Sequence, residues 1–142
     1  MLCQHIFIHM IKLKKLLEVS IPDIENKVAT LERTLQSLYP EIDRVGVYYD
    51  HNNNSLFISD LYIKQEYRGK GIGSKIMSSI TQFADNLKLP IVLIPESDDD
   101  NVSAKQLIDF YKKFGFVVNK GKQKDYSFSD PFALTMYRLP KK

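Results

Sequence analysis

The sequence predicts an α/β fold, a mixed sheet flanked by helices with a parallel strand pair at its centre. Three observations carry that expectation. Residues 55–89 read in succession as a strand, a glycine loop and an amphipathic helix. Residues 91–94, Ile-Val-Leu-Ile, form a short continuous apolar run of the kind buried on both faces of a sheet. Because this run follows a strand–helix unit, it should pair parallel to the first strand through a right-handed crossover. Residues 44–49 and 56–63 flank a turn of Asp, His, Asn and Ser, types that tolerate left-handed backbone, which makes an antiparallel hairpin.

The 142 residues suit one domain spanning 1–142, with no repeat, low-complexity tract or linker. Residues 1–10 are mildly apolar and read as a first strand or as a flexible extension upstream of a natural start at Met10. Basic residues follow this stretch rather than precede it, the wrong order for a secretory signal, and no segment approaches a membrane span. A cytoplasmic location is expected. The single cysteine, Cys3, allows no disulfide framework and fits a reducing compartment.

Residues 11–18 suggest a short helix. Ser20, Pro22 and Asp23 then mark the start of a longer one. In it Ile21, Ile24, Val28, Leu31, Leu35 and Leu38 recur at spacings of three and four, one apolar face to pack on the sheet, and Pro40 closes it. After the hairpin, Ile72, Ile76, Ile80, Phe83 and Leu87 give the central helix its apolar face. Ser103 and Gln106 form a capping box for the next helix, which turns Ala104, Leu107, Ile108, Tyr111 and Phe114 to the core and ends at Gly115. A strand at 116–118, a polar loop at 120–131 and a final strand at 132–139 complete the order.

Arg68-Gly69-Lys70-Gly71-Ile72-Gly73 stands between the strand and the central helix. The first N–H groups of a helix lack intrahelical partners and lie at its positive dipole end. Glycines remove the Cβ atoms that would hold a phosphate away from them. Arg68, Lys70 and Lys75 add positive charge, so the loop should hold a phosphate or pyrophosphate. The spacing fails the Walker pattern, and the third glycine comes one residue early for a dinucleotide fingerprint. A net charge of +3, from 20 basic and 17 acidic residues, gives no argument for a nucleic-acid partner. His5, His9 and His51 have no cysteine or acidic cluster beside them, so no metal site is expected.

The pattern R-x-x-G-x-G, preceded by a strand ending in Leu-Tyr-Ile, resembles motif A of the GNAT superfamily of acetyl-CoA-dependent N-acyltransferases. The resemblance implies that Arg68, Gly69, Lys70, Gly71, Ile72, Gly73 and Ser74 bind the coenzyme A pyrophosphate, and that the backbone of Leu61, Tyr62 and Ile63 holds the pantetheine arm. F-Y-K-K-F-G-F, residues 110–116, is similar to the family's L-Y-E-K-x-G-F signature. By that match Tyr111 takes the place of the tyrosine that protonates the departing thiolate. Ala104 stands where the family has an asparagine against the pantetheine, and Leu107 where it has an alanine.

The fold so implied is a GNAT-like, mostly antiparallel sheet, and the compact form is similar to small phage-type members. The activity implied is acetyl transfer from acetyl-CoA to a primary amine (a protein lysine, an N-terminus or a small amine) in a monomer or homodimer. The amine attacks directly, which suits a chain without a nucleophile–base pattern. For its proton, Asp60 is one candidate base, since Leu61 and Ile63 face the core and turn Asp60 and Tyr62 to the other side. Glu96, beyond the parallel strand, is the other. The acidic loop at 95–101 reads either as a solvated helix approach or as a substrate contact. The competing class is a catalytically degenerate acyl-CoA-binding or protein-interaction module, which the apolar seam at 21–38 would serve.

Overall fold

The computed structural model describes residues 21–142, so the expectations for residues 1–20 (the strand or extension, the short helix, the Ser20 cap, Cys3, His5 and His9) lie outside the described residues. The elements run α1 (Ile21–Leu38), β1 (Ile42–Asp50), β2 (Ser55–Ile63), α2 (Ile72–Leu87), β3 (Ile91–Leu93), α3 (Ala104–Lys112), β4 (Val117–Val118) and β5 (Met136–Arg138). They form one sheet in the order β1-β2-β3-β5-β4. Only β2 and β3 run parallel, in the register Leu56↔Ile91, Phe57↔Val92, Ile58↔Leu93; the other pairs are antiparallel.

Alternation along the strands sorts the two faces. Ile91, Leu93 and Met136 join the main core with Ile24, Val28 and Leu35 of α1, Ile76, Met77 and Ile80 of α2, and Tyr111 of α3. Val92 and Tyr137 turn the opposite way onto Phe128, with Phe57 and Val117 against them. The apolar run of β3 is therefore buried on both faces, as a strand at the sheet's centre should be. From Ile24 to Leu35 the seam of α1 packs inside the molecule, and Leu38 at its end is 66% exposed. From the same helix Glu32 accepts the Val47 N–H at 2.6 Å, satisfying a donor of the edge strand β1.

The hairpin carries two register shifts, one between Ile42 and Arg44 and one between Gly46 and Val47. Val47 pairs with Ile58 and Gly46 with Asp60, so Ser59 is an extra residue in β2. The extra residue reverses the alternation: Leu56 and Ile58 face the core before it, Leu61 and Ile63 after it. Gly46 lies opposite, where a Cβ would crowd the Ser59 hydroxyl.

The final strand is shorter than the sequence suggests. Instead of 132–139 it spans Met136–Arg138, and the alternation of large apolar residues before it does not reach a core. Phe132 is 95% exposed, its N–H taken by Asp130 in a local turn. The cause is pairing: β3 has three residues and β4 two, so nothing extends the ladder to receive 132–134. The preceding polar loop is organised by the buried Asn119, whose amide donates to the Asp125 carbonyl and to Thr135 Oγ1, each at 3.0 Å. Arg138, 3% exposed, is held by both carboxylate oxygens of Asp85 at 2.8 and 2.9 Å and donates to the Phe114 carbonyl at 2.7 Å. Among the described residues no helix is long and apolar enough to cross a membrane.

Candidate functional site

Pairing of β2 with β3 stops at Ile58↔Leu93. Beyond that point the strands part, and the backbone groups of β2 that face β3 have no ladder partner there. A cavity of about 350 Å³ occupies the gap, walled by 58–63 of β2, by the chain leaving β3, and by the α3 face that carries Gln106, Leu107, Phe110 and Tyr111. A second cavity of about 350 Å³ lies against Gly69, Gly71, Ile72, Gly73 and Ser74. The two share Ile63, Arg68 and Phe110.

The second cavity lies at the glycine loop, where an anion is expected. Gly69 and Gly71 take φ of +76° and +79°, left-handed backbone that favours glycine. Nothing lies within 4 Å of where their Cβ atoms would be, so the approach to the loop is open. Gly71 is the N-cap of α2 and provides no side-chain acceptor for the first N–H groups of that helix. Gly73 lies within the helix, where a Cβ would meet the Phe110 ring at an ordinary 3.6 Å. Arg68 is fixed beside the loop by donating Nε to the Ile63 carbonyl at 2.9 Å. Lys70 borders neither cavity and lies over the Tyr67 ring at 5.6 Å.

Tyr111 forms part of the first cavity's wall. The side chain is 8% exposed, packed edgewise against Phe110 and tilted against Phe116, and no described residue is hydrogen-bonded to its hydroxyl. Burial, and then the neighbouring Tyr62, push its pKa up to about 12, so the phenol is neutral at physiological pH. Its position follows from α3: the Ser103–Gln106 capping box fixes the helix start, and Gly115 at φ +91° turns the chain after it. Ala104, at the exposed first turn, borders neither cavity.

Both candidate carboxylates border the first cavity, in different circumstances. Asp60, 39% exposed at its side chain, accepts from Ser59 Oγ at 3.1 Å and lies 3.9 Å from the Arg44 guanidinium. Glu96 is exposed at the rim and has no ion-pair partner among the described residues. Arg44 stacks over the Tyr62 ring at 4.2 Å and reaches Asp98 at 3.4 Å, while the Asp98 N–H donates to the Tyr62 hydroxyl at 3.3 Å. Asp99 pairs with Arg68. The Asn101 N–H, and then that guanidinium, hold the Asp99 carboxyl below its usual range.

Seven residues named from sequence thus meet at the first cavity: Asp60, Leu61, Tyr62, Ile63, Arg68, Glu96 and Tyr111. The chain at 69 and 71–74 surrounds the second. Sequence reasoning counted Asn101 in the acidic loop and missed Gln106 and Phe110 as cavity residues. A signal existed for the last two, since 106→110 and 107→111 are four-residue steps along the helix that carries Tyr111. His51 lies exposed in the hairpin turn, and no cluster of three or more metal-ligand types occurs among the described residues.

Residues 37–118 match the family model of an acetyltransferase (GNAT) domain. Thialysine N-epsilon-acetyltransferase of Bos taurus is 33% identical over 79 residues, covering 49% of this chain and 41% of that protein. Spermine/spermidine N(1)-acetyltransferase of Bacillus subtilis is 27% identical over 85 residues, covering 60% of this chain and 51% of that one. The chain thus spans about half the length, or less, of these curated relatives. Among solved structures, the anti-CRISPR protein AcrVA5 shares the fold, with a TM-score of 0.50 and 22% identity over 66% of this chain and 85% of that one.

Proposed function

Because the chain belongs to the GNAT acetyltransferase family, we propose that it transfers an acetyl group from acetyl-CoA to a primary amine by direct attack on the thioester. The observation that carries the reading is the junction of the two cavities at Ile63, Arg68 and Phe110. A diphosphate at the glycine loop can send a thioester arm along β2 to Tyr111 without crossing packed protein. The open space over Gly69 and Gly71 fits the diphosphate. The backbone of Leu61, Tyr62 and Ile63, free of β3, suits the amide groups of the arm.

Three tasks remain for the protein. Backbone N–H groups of β2 beyond Ile58 stabilise the oxyanion at the thioester carbonyl, fixed donors in a site partly closed to water. Asp60 or Glu96, through water, receives the proton of the attacking ammonium. Tyr111 serves the leaving sulfur. A phenol near 12 is a weaker acid than a thiol, so full proton transfer from Tyr111 to the thiolate is uphill. Its contribution is therefore a hydrogen bond to the developing negative charge, and the thiolate takes its proton from water as the product leaves.

The acceptor is a primary amine, a protein lysine or a small amine of the kind for which the relatives are named. The compact form supports a small phage-type member, acting in the cytoplasm where acetyl-CoA is supplied. The test is release of free thiol from acetyl-CoA across a panel of amines and lysine peptides. Amine-dependent release is the expected result. Acetyl-CoA binding with no release for any acceptor would favour the degenerate binding module.

A further inference from the structure

Arg68 is the only cationic residue bordering either cavity among the described residues, and it borders both. Its guanidinium is already engaged, by the Ile63 carbonyl at Nε and by Asp99 at Nη1. Asp99 belongs to segment 97–101, which joins the end of β3 to the cap of α3 and whose Ser97 and Asn101 wall the first cavity. Three ties pin that segment across the cavity mouth: Arg68 to Asp99, Arg44 to Asp98, and the Asp98 N–H to the Tyr62 hydroxyl. Asp99 also shapes it from within, accepting the Asn101 N–H at 2.9 Å and donating its own N–H to Ser97 Oγ at 3.1 Å.

We infer that Asp99 is an internal competitor for the diphosphate of the donor: the diphosphate takes the Nη edge of Arg68 from Asp99, and segment 97–101 loses its tie to the donor site. Loading the donor thereby loosens one wall of the acceptor cavity. This rests on the coenzyme A reading of the glycine loop. A guanidinium binds phosphate oxygens in the same forked geometry that it uses for a carboxylate, and a diphosphate carries more charge. The Nε bond to Ile63 can persist, so Arg68 pivots in place. The Arg68–Asp99 pair lies near the surface, which makes the exchange nearly balanced and sets the expected effect at about two- to fivefold in affinity. Asp99 is a positioning residue, acting through Arg68 and the segment.

Calorimetric titration of coenzyme A into the wild type, Asp99→Asn and Asp99→Glu tests it, together with amide hydrogen exchange across 97–102. Asparagine can still accept the Asn101 N–H, so the local turn is kept while the charge goes. Asp99→Asn should bind coenzyme A about two- to fivefold more tightly, and Asp99→Glu like the wild type. A residue that merely supports the fold would weaken binding when replaced. In the wild type, coenzyme A should speed exchange across the segment; in Asp99→Asn it should be fast already. Unchanged or weaker binding by Asp99→Asn, or a segment equally protected with coenzyme A bound, overturns the inference. A flat titration for every protein is a separate outcome, and overturns the coenzyme A reading with it.

Discussion

Tyr111 and Asp60 show how two polar groups on one cavity wall come to differ. The phenol is enclosed by Phe110 and Phe116 and kept neutral; the carboxylate stays near solvent, within reach of Arg44. Tyr111→Phe keeps the ring packing, so melting temperature and acetyl-CoA affinity should hold. Turnover should fall about 10- to 100-fold, the worth of a hydrogen bond to a charged leaving group. Unchanged turnover would return Tyr111 to the core. Any alkaline limb due to this phenol belongs near 12 rather than 10. For the proposed base, Glu96, which has no ion-pair partner among the described residues, is favoured over Asp60 beside Arg44. Glu96→Gln should lose turnover and the acidic limb of its pH–rate profile, while Asp60→Asn keeps that limb. If both keep the parent profile, the ammonium loses its proton to solvent. Tyr111 was legible because a local seven-residue pattern carries it. The Arg44–Asp98 and Arg68–Asp99 pairs were not, because each joins residues brought together only by the split between β2 and β3.

At the level of elements, the helices were read well and the strands less so. Helix signals are local: the capping box at Ser103 and Gln106 and the three- and four-residue spacings in α1 and α2 all lie within their own segments. A strand's extent depends on its neighbours. Nothing within 55–63 announces the extra Ser59, which exists because Gly46 leaves room for it. Residues 132–134 alternate like a strand and stay outside β5 because no strand partner meets them. The buried Arg138–Asp85 pair, which ties β5 to α2, was equally out of reach of local pattern. Chiefly the Arg138 hydrogen bonds hold the Asp85 carboxyl below its usual value. A depressed folded-state pKa adds stability that is present above the unfolded value near 3.8 and is lost as pH falls through the folded one. Asp85→Asn leaves Arg138 buried without its counter-charge and should cost about 2–3 kcal/mol near neutral pH. Thermal melts from pH 7 to 2 check both points: the variant's deficit should shrink at the acid end, and a constant deficit would contradict the pair's role.

For the molecule as a whole, sheet order and the glycine loop bring the two cavities together. The parallel pair lies at the middle of the sheet, its strands part at their carboxyl ends, and the glycine loop and α3 close on the gap from either side. That arrangement was legible from the strand–loop–helix order and the apolar run of β3, because crossover handedness leaves little choice. The acceptor side was not, since it is walled by loop and rim residues whose positions no short pattern encodes. The central claim is that the glycine loop holds the donor's diphosphate, and acetyl-CoA titration into wild type and Gly71→Glu tests it most directly. At φ +79° a glutamate is strained by about 1–2 kcal/mol, which the fold should survive, as circular dichroism would confirm. Its side chain and charge would fill the open cradle. The account predicts saturable binding by the wild type and none by a folded Gly71→Glu; equal binding by both would contradict it.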